Sequence, residues 1–414
     1  MDYELITNQR DLHRLCRSLE DATAIGFDTE FVSEDRYRPE LCLIQVAASG
    51  RHAIIDPLAI KDLKPFWQLL CDEERQTIVH AGRQELIFFL DAMGRRPAGW
   101  FDTQIAAGLI GLEYPASYGT LLQKLLGQSL GKGETRTDWR RRPLAPRQIE
   151  YAVLDVLHLE PLQAVLSERL ESLARMPWLD EEMDRWQTQV ENAENGERWR
   201  RLAGLSSLAP KTLAIVRELW LWRDAEAERI DRPPRRILRD DLLLELSKRA
   251  TPDVAALKLL RGMNYRDKQR HLSSISACIQ RAVNMPPDTW PTTVRRKSGR
   301  PRLNLLGQFL ATALTSVCQA QQVSPSLVGS VEDVRDLIAW HLKLDGFVDR
   351  QPPRLACGWR GDVVGRSIED VLSGNMAIRV SNPLGDHPLS FEPLSATTSR
   401  GKNRPISPGQ QNSD

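Results

Sequence analysis

Ala24-Ile25-Gly26-Phe27-Asp28-Thr29-Glu30-Phe31 is a short apolar run interrupted by two carboxylates at i and i+2. In a β-strand residues two apart project from one face, so Asp28 and Glu30 converge. Two anions packed together on a mostly apolar strand are costly unless a cation neutralises them. Hard divalent ions such as Mg²⁺ or Mn²⁺ take oxygen ligands of this kind. A solvated strand end shows the same pair, so the stretch alone does not decide the chemistry.

Outward from this stretch, ELCLIQVAA (40–48) and HAIIDP (52–57) are further short apolar runs, spaced closely enough for an antiparallel meander. TIVHAG (77–82) reads as a fourth strand after a helical stretch at 59–71, and helical periodicity then predicts helices at 83–93, 102–111, 118–126 and 146–173. Strands first, then a strand and helices in alternation, point to a mixed α/β sheet flanked by helices. After about residue 190 no strand run is evident. Residues 197–285 read as four or five helices, and a second helical segment runs over 303–378.

Between the two lies VNMPPDTWPTTVRRKSGRPR (283–302), which reads as an exposed basic linker, and the tail beyond Asn382 is rich in Pro, Ser and Gly and is expected to be disordered. With 414 residues, two to four domains are expected from a prior of about 100–200 residues each. The balance of 56 basic and 55 acidic residues leaves a net charge of +1, so any polyanion must be held by local patches. Six scattered cysteines, with neither a CxxC pair nor zinc spacing, argue against a disulfide framework or a structural zinc. No apolar segment reaches the ~18 residues of a membrane span, and the amino terminus lacks a leader pattern, so a cytoplasmic protein is the expectation.

A second pair, Tyr151 and Asp155 in QIEYAVLD (148–155), sits at i and i+4 on a predicted helix and so on one face. A tyrosine in the core with an aspartate at the helix edge gives the same pattern. Taken together, however, Asp28, Glu30, Asp155 and Tyr151 match what phosphodiester hydrolysis needs. Carboxylates hold two metal ions ~3.5–4 Å apart, and a hydroxyl at the rim orients the attacking water.

FDTEF, RYRPELCLIQVA, HAGRQEL, FDTQIAAGL, TDWRRRPL and YAVLD, in this order and spacing, resemble the exonuclease domain of the ribonuclease D family. These are DEDD exonucleases of the subgroup with a tyrosine in the third motif, and the resemblance covers about residues 1–175. It implies a ribonuclease H-like fold, Asp28, Glu30 and Asp155 as metal ligands, and Tyr151 as the residue that positions the water. It also implies 3′→5′ hydrolysis of RNA with release of nucleoside 5′-monophosphates, with precursors of transfer RNA and other small structured RNAs as substrates. Residues 205–285 resemble the HRDC helical module, and 303–378 a second, divergent copy. A monomer is favoured. One departure concerns the second motif, where the family places Asp and this chain has Glu85, one methylene longer. Glu85 either takes the aspartate's role or marks a weakened second metal site.

Thr29, Phe31, Gln45 and His80 are the candidates for contact with the terminal nucleotide, though Gln45 and His80 also fit buried, satisfied side chains and Phe31 fits core packing. Asp102 reads as a helix N-cap. The run 132–142, with Trp139 among Arg140, Arg141 and Arg142, suits a loop that grips phosphates and stacks a base. Trp199, Trp220 and Trp222 suit helix packing, and Arg232, Arg235, Arg236 and Arg239 suit phosphate contact. Two other functions stay open on the sequence. A DNA exonuclease of the proofreading or Werner type would use the same acidic set, and an RNA-binding protein could retain the fold with a site decayed through Glu85.

Overall fold

The computed structural model describes residues 2–129, 137–263, 266–292, 301–344 and 351–394. The chain divides into two compact units, one of residues 1–107 and 115–298 and a second of 108–114 and 299–414.

The first unit is built on a six-stranded sheet: β1 (Glu4–Ile6), β2 (Ala24–Val32), β3 (Glu40–Ala48), β4 (Arg51–Ile55), β5 (Gln76–Val79) and β6 (Trp100–Asp102), in the order β1-β4-β3-β2-β5-β6. β2, β3 and β4 form the expected antiparallel meander, while β1 joins β4, and β5 and β6 extend from β2, in parallel. Around the sheet lie α1 (Gln9–Ser18), α2 (Lys64–Leu69), α3 (Arg83–Met93), α4 (Thr103–Leu109), α5 (Tyr118–Leu126), α6 (Pro146–Leu157), α7 (Leu159–Ser172) and α8 (Met176–Asn195). The mixed sheet flanked by helices is as the sequence predicts.

The alternation of β2 decides what each face meets. Phe27 is fully buried against Phe66, Trp67 and Trp100, with ring centroids 5.9, 6.1 and 6.1 Å away in edge-to-face geometry. Phe31 meets Phe88 of α3 at 5.8 Å. Gly26, one position from Phe27 and two from Asp28, belongs to the other face, where a Cβ would stand 3.0 Å from Leu159 Cβ of α7. Only a residue without a side chain lets α7 lie this close to the sheet.

The stretch 146–173, predicted as one helix, is two. The chain breaks at His158 (φ −111°, ψ 10°), whose N–H is shared between the Val156 carbonyl and the Tyr118 hydroxyl, the latter at 3.3 Å. After residue 175, α8 packs back on this unit, stacking Trp186 on Trp100 at 6.5 Å and pairing Asp184 and Glu191 with Arg96.

Beyond α8, α9 (Pro210–Arg229) packs with the helices Asp240–Arg249 and Leu272–Val283 around Leu213, Val216, Leu219, Leu243, Leu246 and Ile279. Trp199 and Trp220 lie in this core, as helix-packing residues should. The segment after β2 reaches α9: the Tyr37 hydroxyl donates to Asp224 Oδ2 at 2.8 Å, Arg36 to Asp231 at 3.2 Å and Arg38 to Glu228 at 3.3 Å.

The second unit holds the helices Pro301–Ala320, Val331–His341 and Arg366–Leu372. It also holds an antiparallel hairpin of β7 (Met376–Val380) and β8 (Leu389–Pro393). This hairpin corrects the expectation of no strands after residue 190 and of disorder from 382. Met376, Ile378, Leu389 and Phe391 put enough apolar surface into a segment of polar composition to pair two strands. Residues 395–414 of the expected tail, and Arg295, Arg296, Lys297 and Arg300 of the basic linker, lie outside the described residues. No helix among the described residues is long and apolar enough to cross a membrane.

Candidate active site

Asp28 and Glu30 stand on one face of β2, next to a register shift between Glu30 and Phe31. Such a bulge adds local twist and re-aims the side chains beside it. Across from them α6 presents Tyr151 and Asp155, one turn apart. The start of α6 is set by Pro146 at its first turn and by the Gln148 side chain, which accepts from the Ala145 N–H at 2.8 Å. Arg142 anchors the segment before it to the sheet, donating to Asp56 at 2.5 and 2.7 Å and to the Cys42 carbonyl at 2.9 Å.

Glu85 arrives from the first turn of α3. The turn before it places Ala81 at φ +53°, a left-handed conformation that needs outside support in a non-glycine residue. Buried Asp102 supplies that support, accepting from the Ala81 and Gly82 N–H groups at 3.1 and 3.0 Å. It also caps α4 through the Gln104 N–H at 2.8 Å, as its sequence context predicted.

The four carboxylates act on one another. Burial, then Glu85, Asp155 and Glu30, push Asp28 well above the ordinary carboxylate range. Burial, then Asp155 and Glu85, raise Glu30 to about 8, and burial raises Glu85 and Asp155 to about 7. No cation among the described residues offsets this repulsion. Tyr151 hydrogen-bonds Asp155, and burial with the nearby carboxylates pushes its phenol up, so it stays protonated. Four oxygen donors with unneutralised charge suit a hard divalent cation. As placed, no three His, Cys, Asp or Glu side chains among the described residues are gathered closely enough to hold a metal ion by themselves.

Residues 3–171 match the family model of the 3′-5′ exonuclease, and residues 212–279 that of the HRDC domain. Ribonuclease D of Granulibacter bethesdensis is 34% identical, over 91% of this chain and 94% of that protein. Ribonuclease D of Escherichia coli is 30% identical, over 90% of this chain and 99% of its own. The crystal structure of Escherichia coli RNase D, described as an exoribonuclease involved in structured RNA processing, matches with a TM-score of 0.78 at 29% identity. That match covers 90% of this chain and 99% of that one. The chain belongs to the ribonuclease D family. It is a 3′→5′ exoribonuclease, a hydrolase, and exonucleases of this family depend on divalent metal ions.

Against this family background, several sequence candidates turn out to face inward. Gln45 lies opposite Asp28 in the β2–β3 register but is fully buried, out of reach of a base or sugar, and its amide N and O have no hydrogen-bond partner. His80 Nδ1 meets the Thr103 hydroxyl at 2.9 Å, its ring bonds the Ala116 backbone, and burial lowers its pKa. It is a satisfied strand-end histidine. Thr29 gives its hydroxyl to Glu85, and Phe31 is half-buried against Phe88. Trp139 is buried beside Tyr151, ring centroids 6.1 Å apart, and cannot stack a base.

Among residues 137–142, Arg140 pairs with Asp35 and Asp138 and Arg142 with Asp56, while Arg141, 84% exposed and 3.8 Å from Asp138, is the arginine most open to solvent; residues 132–136 lie outside the described ones. Arg235 and Arg239 pair with Asp240 and Asp241. The sequence reading missed Tyr118, whose phenol is pushed up by burial and by Asp155 and Asp28 and which therefore borders the cluster. Nothing in its local pattern, a helix start after Ser117, distinguishes it.

Proposed function

We propose that this exoribonuclease trims the 3′ ends of transfer-RNA precursors and other small structured RNAs in the cytoplasm, as a monomer, releasing nucleoside 5′-monophosphates. In each cycle a water oxygen bonds to the terminal phosphorus and the P–O3′ bond breaks, leaving a 3′-hydroxyl on the shortened RNA. The observation that carries the reading is the mutual electrostatic influence of Asp28, Glu30, Glu85 and Asp155, brought from β2, α3 and α6 near enough to raise one another's pKa, with Tyr151 bonded to Asp155 beside them.

Asp28, Glu30 and Asp155 would hold one divalent ion and Asp28 with Glu85 a second. Two such ions supply charge neutralisation at the phosphate and a lower pKa for the attacking water. Tyr151 donates a hydrogen bond to Asp155 while keeping its proton, which leaves its oxygen lone pairs free to accept from and orient that water. Its raised pKa keeps it from acting as an ionised base. In the division of labour we assign, residues 1–175 with α8 cut the chain, while 205–285 and 303–378 hold structured RNA. The description of the Escherichia coli relative as an enzyme of structured RNA processing supports the substrate class.

The test incubates 5′-labelled transfer-RNA precursor and a matched DNA oligonucleotide with the protein and Mg²⁺ or Mn²⁺, with and without EDTA. A ladder shortening from the 3′ end of the RNA, lost with EDTA, is expected. Faster cleavage of the DNA would overturn the substrate reading.

A further inference from the structure

Thr29 lies between the two carboxylates of β2, with its side chain on the opposite face. Its hydroxyl donates to Glu85 Oε1 at 2.5 Å, and both residues are only 5% exposed. The Glu85 carboxylate also accepts from its own backbone N–H and from that of Thr29. A glutamate arm has one more rotatable bond than an aspartate, so its carboxylate wanders further unless something holds it. Thr29 is suited to hold it, because a β-branched side chain is stiff at χ1 and the strand pairing to Ile44 fixes the backbone from which it projects.

We propose that Thr29 is the positioning residue for Glu85, tying the longer carboxylate to the strand that carries Asp28 and Glu30. The residue between two ligands thereby sets the place of the third. This inference rests on the reading above that Glu85 is a metal ligand. Partners that orient a ligand from behind commonly matter nearly as much as the ligand itself.

The experiment measures Mn²⁺ binding to the full-length protein by calorimetry, alongside melting temperature in EDTA. Thr29→Val, which keeps the shape and loses the hydroxyl, should weaken Mn²⁺ affinity by about 10–100-fold. Thr29→Ala, which loses the same hydroxyl without a second methyl in its place, should weaken it comparably if Thr29→Val does not fold. Thr29→Ser should keep affinity close to that of the unaltered protein. In a Glu85→Gln background, Thr29→Val should add no further loss. A lowered melting temperature with unchanged Mn²⁺ affinity in Thr29→Val and Thr29→Ala, while Glu85→Gln still weakens binding, would overturn the inference alone. Unchanged affinity in Glu85→Gln would overturn the ligand reading and this inference with it.

Discussion

The end of the sheet and the helices around α9 treat acidic residues in opposite ways. In the helical region Glu226 pairs with Arg229 at 2.7 Å, Glu245 with Arg249 at 2.9 Å and Glu218 with Arg281 at 3.2 Å. Asp240 is shared by Arg223 and Arg235. Arg229 holds the Glu226 carboxyl below its usual range. At the sheet end, Asp28, Glu30, Glu85 and Asp155 are desolvated, raised in pKa and, among the described residues, without a cation partner. The local pairs Glu226–Arg229 and Glu245–Arg249, with largely exposed arginines, contribute little and keep their helices solvated. Buried like charges destabilise the fold and persist where a ligand needs them. The difference between the two regions is therefore a map of where stability yields to chemistry.

The sharpest way to break this comparison is Asp28→Ala. Removing one of four repelling carboxylates should abolish cleavage in a single-turnover assay while RNA binding is largely kept and the metal-free melting temperature is unchanged or raised. Residual cleavage near the unaltered rate would remove Asp28 from the chemistry.

A smaller effect should appear in pH dependence without metal. The folded protein holds protons on Glu30, Glu85 and Asp155 up to about pH 7–8, whereas the unfolded chain releases them near 4 to 5. Over that window the unfolded state binds fewer protons, so stability falls as pH rises. In EDTA the melting temperature should decline from pH 5 to 8.5, and Mg²⁺ should restore more of it at the upper end. A flat profile, read by calorimetry, would mean that the carboxylates are not buried together. The smallest effect belongs to the helices. Arg229→Ala, at a pair with a largely exposed arginine, should leave the melting curve unchanged, and a clear loss there would erase the contrast.

What the sequence made legible follows the strength of each local signal. The strands 24–31 and 40–48 are long apolar runs, and the convergence of Asp28 with Glu30 needs only the two-residue period of a strand. β1 and β6, three residues each, carry no period at all. Tyr151 and Asp155 were placed by helical spacing, which the break at His158, beyond both, does not disturb. Trp139 misled because an aromatic among arginines looks alike whether it stacks a base or packs under them, and only its burial separates the two. The Thr29–Glu85 bond was hidden for a related reason. Residues 56 apart meet only because the sheet turns the odd side chains of β2 toward α3.

The strand that carries the carboxylates continues within a few residues into Arg36, Tyr37 and Arg38, which are gripped by Asp224 and Glu228 of α9 and by Asp231 in the turn after it. From Glu30 to Tyr37 the backbone spans at most ~25 Å, and its covalent geometry does not stretch. This stretch is a tether. A load that draws α9 away from the sheet by more than the slack in the tether pulls on β2 itself, at the bulge beside Glu30. Raised ionic strength, which weakens the exposed arginine pairs before anything in the sheet, would let α9 swing without that pull.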